Sequence, residues 1–264
     1  MDDRGLLTGR VALVTGGSRG IGAGIALALG QQGADVVVNY HTNADAAAGV
    51  VAGIEAAGSR ALAVQADATD ADQVAAMVRT ATEALGDIDV LVCNTVGEID
   101  DAVERFMSGR TMAMDCAAEI LHRTAAQLAA TLYPCREVLP GMRRRGGGSV
   151  VLIGAAGTRG GRPEKGIAEI AVAKAAQEAL ARSLASELGP DRVRVNTVAP
   201  GMIPTDANAG PWQPMMITEI AKTTPLGQVG TAADVGAAVV AFAADLTRHV
   251  TGAFVGVDGG RTMD

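Results

Sequence analysis

Aromatic residues are nearly missing from this chain: three Phe, two Tyr and one Trp make up 2% of 264 residues. A large core must then be assembled from aliphatic side chains. With 48% hydrophobic residues and 34 glycines, the material is that of closely packed helices on a parallel sheet, and disorder is excluded. No apolar run approaches the roughly 18 residues of a membrane-spanning helix, and the opening MDDRGLL has no apolar signal core. Basic charge is scarce as well. The formal net charge is -7 and the pI is near 5.0, which argues against a nucleic-acid partner, because phosphates need a basic face. The one dense basic cluster, Arg143 to Arg145, is short and reads as a solvated helix end. The three cysteines, Cys93, Cys116 and Cys135, are an odd set with neither metal-ligand spacing nor a disulfide framework. The expectation is a soluble, cytoplasmic protein that acts on a small molecule, with no metal, membrane or nucleic acid.

What is present has a rhythm. Short runs rich in β-branched residues alternate with long alanine-rich amphipathic stretches. The runs are VALVT (11–15), DVVVNY (35–40), ALAVQAD (61–67), DVLVC (89–93), SVVLIG (149–154), RVRVNTVAP (192–200) and AFVGVDGG (253–260). Such alternation predicts βαβ units, and strands that are apolar throughout need helices on both faces. Right-handed crossovers then give an α/β fold with a doubly wound, Rossmann-type, parallel seven-stranded sheet. No linker or repeat divides residues 1–264, so they read as a single domain. Two intervals break the short-loop rhythm, about 97–112 and 203–224. Each follows the carboxyl end of a predicted strand, where open α/β sheets bind ligands, and both are candidate lids. Met202, Trp212, Met215 and Met216 around the second one read equally well as core packing.

The first strand runs into TGGSRGIG (15–22) and then the apolar IALALG. Glycines at such a turn let the backbone approach a pyrophosphate and aim helix-terminal N–H groups at its charge. The spacing is TGxxxGxG, not the GxGxxG of other dinucleotide folds. Further along come ADATD (66–70), CNTVG (93–97), GSVVLIG (148–154), Lys174, NTVAPGMIPTD (196–206) and TGAFVGVDGG (251–260). In this order, over nearly the whole chain, these resemble the short-chain dehydrogenase/reductase family and, within it, the β-ketoacyl-carrier-protein reductase-like branch.

The resemblance implies a dinucleotide cofactor with Gly16, Ser18, Gly20 and Ile21 along its pyrophosphate and Asp67 beside its adenine. It also places Asn94, Lys174, Pro200, Gly201, Ile203 and Thr205 around the cofactor. The second strand ends in Asn39, where an acidic residue would hold the ribose 2'-hydroxyl of NAD and repel a 2'-phosphate. Arg19 is near enough to pair with that phosphate, so the expected cofactor is NADP(H). Val96 stands where the family has a glycine, a role that falls to Gly97 if the loop is shifted.

Family members use an Asn, Ser, Tyr, Lys set, in which the tyrosine exchanges the carbonyl proton and the lysine holds the nicotinamide ribose and lowers the tyrosine pKa. Mapped onto this chain, the serine register is Ala155 and the tyrosine register is Ile170, in EIAVAK (169–174). Lys174 is retained. Counted back from VLPGM (138–142), the asparagine register falls on Gln127. Only Tyr40 and Tyr133 exist, and neither is near. Glu169, which adjoins Ile170 but turns about 100° away on a helix, and Glu164 and Lys165, which could fold inward from the enlarged loop, are candidate replacement acids; each reads more readily as a solvated charge. His122 reads as packing or surface.

General acid catalysis contributes roughly 10^2 to 10^4 in rate, whereas orientation contributes about 7 to 11 kcal/mol. A reductase can therefore lose its tyrosine if the substrate supplies the proton, as a ketone beside a phenol or enol would. The expected function is an atypical NADPH-dependent ketoreductase for a bulky apolar ketone of aromatic polyketide type. The resemblance implies a homo-oligomer, dimer or tetramer, assembled through the helices flanking the fifth strand and the C-terminal strand. Two alternatives share the fold: a catalytically silent subunit in a hetero-oligomer with an intact homologue, and a non-redox cyclase or lyase.

Overall fold

Every one of the seven runs becomes a strand. The structure, a computed structural model, describes residues 5–95, 117–159 and 168–263. The strands are β1 (Val11–Val14), β2 (Asp35–Tyr40), β3 (Ala61–Gln65), β4 (Val90–Cys93), β5 (Gly148–Ile153), β6 (Val193–Pro200) and β7 (Phe254–Val257). All pair in parallel, in the order β3-β2-β1-β4-β5-β6-β7. Two strands end earlier than their apolar runs suggest, because a carboxylate pulls the backbone into a turn. Asp67 accepts from the N–H and hydroxyl of Thr69 at 2.8 and 2.7 Å. Asp258 accepts from the N–H groups of Gly260 and Thr262 at 2.9 and 2.8 Å.

The helices are α1 (Gly20–Gln31), α2 (Ala44–Ala56), α3 (Ala71–Leu85), α4 (Ala117–Arg145), α5 (Ala168–Leu188), α6 (Gln213–Thr223) and α7 (Ala232–Ala243). Alternation along each strand divides the core in two. Val14, Val36, Val38 and Val92 pack with Ile25 and Leu29 of α1, Ile54 of α2 and Val239 of α7. Leu13, Val37, Leu91 and Leu152 pack with Met77 of α3, Val138 of α4 and Leu188 of α5. Each of these side chains contributes about 1.5 to 3 kcal/mol by leaving water, which is why both faces of the sheet must be covered.

Among the described residues no helix is long and apolar enough to cross a membrane. A cavity of about 670 Å3 opens at the amino ends of the strands, lined by Arg10, Arg145, Arg192, Arg194, Arg248 and His249. Helix α4 ends there, and its carboxyl terminus accounts for basic side chains. The chain reverses direction across the sheet between β1 and β4, so the crevice for a ligand lies at the opposite, carboxyl edge.

Candidate active site

The glycine loop after β1 is clamped from both neighbouring strands. On one side, the Asn94 amide donates to the carbonyls of Thr15 and Gly16 at 3.0 and 3.1 Å, and the buried Thr15 hydroxyl accepts from the Asn94 N–H at 3.0 Å. On the other side, Asn39 Oδ1 accepts from the Gly16 N–H at 3.1 Å while its amide donates to the Ala66 carbonyl at 3.0 Å. Asn39 is only 2% exposed. Its side chain supports the loop from beneath, in contrast to the ribose-facing position expected of it, because both ends of the amide are engaged within the protein.

Two glycines in this loop carry geometric demands. Gly20 has a φ of +55°, and a Cβ there would sit 3.3 Å from Cγ2 of Thr205. Gly22 lies so close to the loop that a Cβ would fall 2.1 Å from the Gly16 carbonyl oxygen. The Thr205 contact shows how the segment after β6 reaches over the loop after β1. That segment is anchored by the Gly201 N–H donating to Val257 at 3.1 Å, by Pro200 and Ile203, which are buried, and by the Thr205 N–H donating to Asn208 Oδ1 at 2.8 Å. Ser18 and Ile21 are half-buried and Arg19 is exposed at the start of α1. Asp67 is partly engaged by Thr69.

At the catalytic end, Ala155 follows β5 in extended conformation, and its carbonyl accepts from the Thr158 hydroxyl at 2.8 Å. Ile170 lies in the first turn of α5, half-buried, one turn ahead of Lys174. Lys174 is 4% exposed. Its ammonium donates to the Ile153 carbonyl at 2.7 Å and to Gln177 Oε1 at 3.3 Å. The Gln177 amide donates to the Thr131 hydroxyl at 3.0 Å, and that hydroxyl donates to the Gln127 carbonyl at 3.0 Å. The Gln127 amide then donates to the Thr95 carbonyl at 3.3 Å. Two expected residues, Lys174 and Gln127, thus join one buried polar chain. Sequence reasoning does not single out Gln177 or Thr131; the signal for Thr131 is a small polar residue in AATLYP, while Gln177 stands beside Lys174 and Glu178 in AKAAQEAL and carries none.

Burial lowers the Lys174 pKa to about 8, opposed only by charge on Cys93. Cys93 offers little of that charge, since its hydrogen bond to Cys135 and its burial push the thiol well up. A buried ammonium with a lowered pKa destabilises the fold while it is charged. Unfolded chains bind the proton up to about 10.5, folded ones only to about 8, so stability rises with pH across that window. Lys174→Met is therefore expected to gain on the wild type as pH falls from 10.5 to 7, by about 3 kcal/mol at most, set against a pH-independent loss of about 1 to 3 kcal/mol at Gln177 Oε1, which is left without its donor. Chemical denaturation from pH 7 to 10.5 checks this; a stability difference that does not change with pH would contradict it.

Glu169 requires a correction: it is 0% exposed, not a solvated charge. It shares the buried face of α5 with Ala173 and Gln177, which packs toward α4. His122 is exposed, as a surface residue. Within residues 203–224, Met215 is 60% exposed and no residue of α6 is buried, so α6 does not belong to the core. Val96, Gly97, the 97–112 lid, Cys116, Glu164 and Lys165 lie outside the described residues.

Residues 16–262 match the family model described as enoyl-(acyl carrier protein) reductase. The chain belongs to the short-chain dehydrogenase/reductase family. It is 35% identical to cyclohexanol dehydrogenase of Rhodococcus sp. (strain TK6), covering 99% of both chains. It is 34% identical to versicolorin reductase of Emericella nidulans, covering 96% of both. Among solved structures it superposes with TM-score 0.84 on LugOII, a promiscuous reductase that catalyses keto-reduction at C1 during lugdunomycin biosynthesis, 32% identical over 97% of this chain and 99% of that one. A short-chain dehydrogenase/reductase of this kind is an NAD(P)-dependent oxidoreductase with ketoreductase relatives. Its structural neighbours hold NADH in one case, a 7α-hydroxysteroid dehydrogenase (TM-score 0.86, 29% identical, covering 100% of this chain and 99% of that one), and NADPH in another, a metagenomic blue fluorescent protein (TM-score 0.83, 32% identical, covering 97% and 99%).

Proposed function

We propose that this protein is an NADPH-dependent ketoreductase for a bulky, apolar, aromatic polyketide-like ketone, whose proton is supplied by the substrate's own neighbouring hydroxyl. One observation carries the reading. The loop between Gly16 and Gly22 is held from both neighbouring strands, which supports its use as a dinucleotide cradle, while Ala155 and Ile170 offer no hydroxyl to a carbonyl oxygen.

The residues fit the cofactor: glycines stand where any side chain would fill the cradle, and the amino end of α1 faces it with free N–H groups suited to a pyrophosphate. Gly16, Ser18, Gly20 and Ile21 would line that pyrophosphate, Asp67 and Asn94 the adenosine side, and Lys174, Pro200, Gly201, Ile203 and Thr205 the nicotinamide side. Held by these residues, the reduced nicotinamide would supply the hydride that ketone reduction needs. The buried Lys174 ammonium would stabilise negative charge growing on the carbonyl oxygen. An ortho-hydroxyaryl ketone is then expected to be reduced about 10^2-fold or more faster than its O-methyl counterpart. Equal rates for the two would overturn the substrate-assisted reading, and absence of NADPH binding would overturn the ketoreductase.

Preference for the 2'-phosphate rests on exposed Arg19 at the start of α1. Arg19→Glu is expected to weaken NADPH binding about 10- to 100-fold, the worth of a charge-assisted hydrogen bond, and to leave NADH affinity unchanged. Fluorescence titration of both cofactors checks it. Exposed Leu121 and Leu132 on α4, Val172 on α5 and Val255 on β7 favour a homo-oligomer through these elements. Light scattering tests this, and a monomer that assembles only with an intact homologue would favour the silent-subunit alternative.

A further inference from the structure

The polar chain behind Lys174 has a direction, and the direction identifies a residue. The Gln127 backbone carbonyl can only accept, so the Thr131 hydroxyl donates to it. Thr131 then has its lone pairs left for the Gln177 amide N–H. With its nitrogen committed there, Gln177 must present its oxygen to Lys174. The amide orientation is fixed by the network itself, and the Lys174 ammonium receives an acceptor it would otherwise lack deep in the α4–α5 interface. The other acceptor is the Ile153 carbonyl, two residues before Ala155. Gln177 is 1% exposed and Thr131 0%. Burying two such polar residues costs stability unless they are hydrogen-bonded, and here the Gln177 oxygen, the Gln177 nitrogen and the Thr131 hydroxyl each have a partner.

We propose that Gln177, locked by Thr131, is a positioning residue that keeps Lys174 charged and aimed at the end of β5, where charge on the reacting carbonyl oxygen develops in the absence of the serine and tyrosine hydroxyls. The catalytic half of this rests on the ketoreductase reading; the half concerning Lys174 itself does not. Among the described residues the groups around the ammonium are few. Cys93 faces it from β4 with Cys135 of α4 behind, Arg123 lies on the same face of α4 as Gln127 and Thr131, and Glu169 and Glu178 are buried on its own helix. None of these has a hydrogen bond to Lys174 among the described residues.

The chain has only three lysines, Lys165, Lys174 and Lys222, so 13C-lysine NMR of the full-length protein can follow each one, with Lys174→Met for assignment. The Lys174 titration midpoint is expected about one pH unit lower in Gln177→Met, which removes an acceptor, and about one pH unit or more higher in Gln177→Glu, which adds a carboxylate. Thr131→Val is expected to lower it as well. Unchanged midpoints in folded Gln177→Met and Gln177→Glu would overturn the proposal; if the Met variant does not fold, the Glu variant decides alone. In turnover, the alkaline limb of kcat/KM is expected to follow the NMR midpoint from variant to variant. A midpoint that moves while the limb stays would overturn the catalytic half. Failure of the wild type to bind NADPH would remove the ketoreductase reading and leave the NMR result standing.

Discussion

Ala155→Ser combined with Ile170→Tyr is expected to raise turnover of simple ketones, those with no neighbouring hydroxyl, by about 10^2- to 10^4-fold. Ile170 lies one helical turn before Lys174 and is half-buried in the first turn of α5, so a phenol at that position projects from the lysine's side of the helix. Ala155 follows β5, two residues beyond the carbonyl that now holds Lys174. The pair would supply the carbonyl oxygen with a proton donor and a steadying hydroxyl, and Lys174 would again have a phenol whose ionisation its charge favours. Ortho-hydroxyaryl ketones should gain much less, because they carry their own donor. Steady-state kinetics on both ketone types, with NADPH affinity as the control, decide the matter. An unchanged ratio between the two types, at unchanged cofactor affinity, would mean that the missing hydroxyls are not what limits the wild type.

Gly22→Val is expected to abolish binding of the nicotinamide cofactor, with an affinity loss of at least about 100-fold. The first atom of the new side chain would meet the Gly16 oxygen at 2.1 Å and the Asn94 amide at 2.6 Å, so the loop and its clamp must both move. Overpacking of this kind costs about 1 to 3 kcal/mol in stability, and the melting temperature should fall as well. Gly49→Ala in α2 is the matched control, since a Cβ there meets nothing within 4 Å. It should raise stability by about 0.5 to 1 kcal/mol, as for any unneeded glycine inside a helix, and leave cofactor affinity alone. If Gly22→Val binds NADPH as the wild type does, the crevice between β1 and β4 is not where the cofactor sits.

The sheet was legible because its strands are apolar on both faces, a pattern that parallel packing imposes and that no single neighbour can disguise. The glycine loop was legible for a similar reason: close approach leaves no alternative residue. What escaped were polar groups whose partners are distant in sequence. Gln177 and Thr131 are 46 residues apart and meet only through the packing of α4 on α5. Asn39 reads as a strand-end residue facing a ligand, but β2 places it against Ala66 and Gly16. Glu169 lies on the face of α5 that α4 covers, and a helix wheel alone does not say which face a neighbour will occupy.

The shape of α6 bears on how such a protein changes over generations. With none of its side chains buried, this helix contributes little to holding the fold together, so replacing its exposed Met215 leaves the melting behaviour nearly untouched. Selection can then retune which molecules are admitted without endangering the machinery underneath, and a lineage built on this plan explores new chemistry at small risk to its survival.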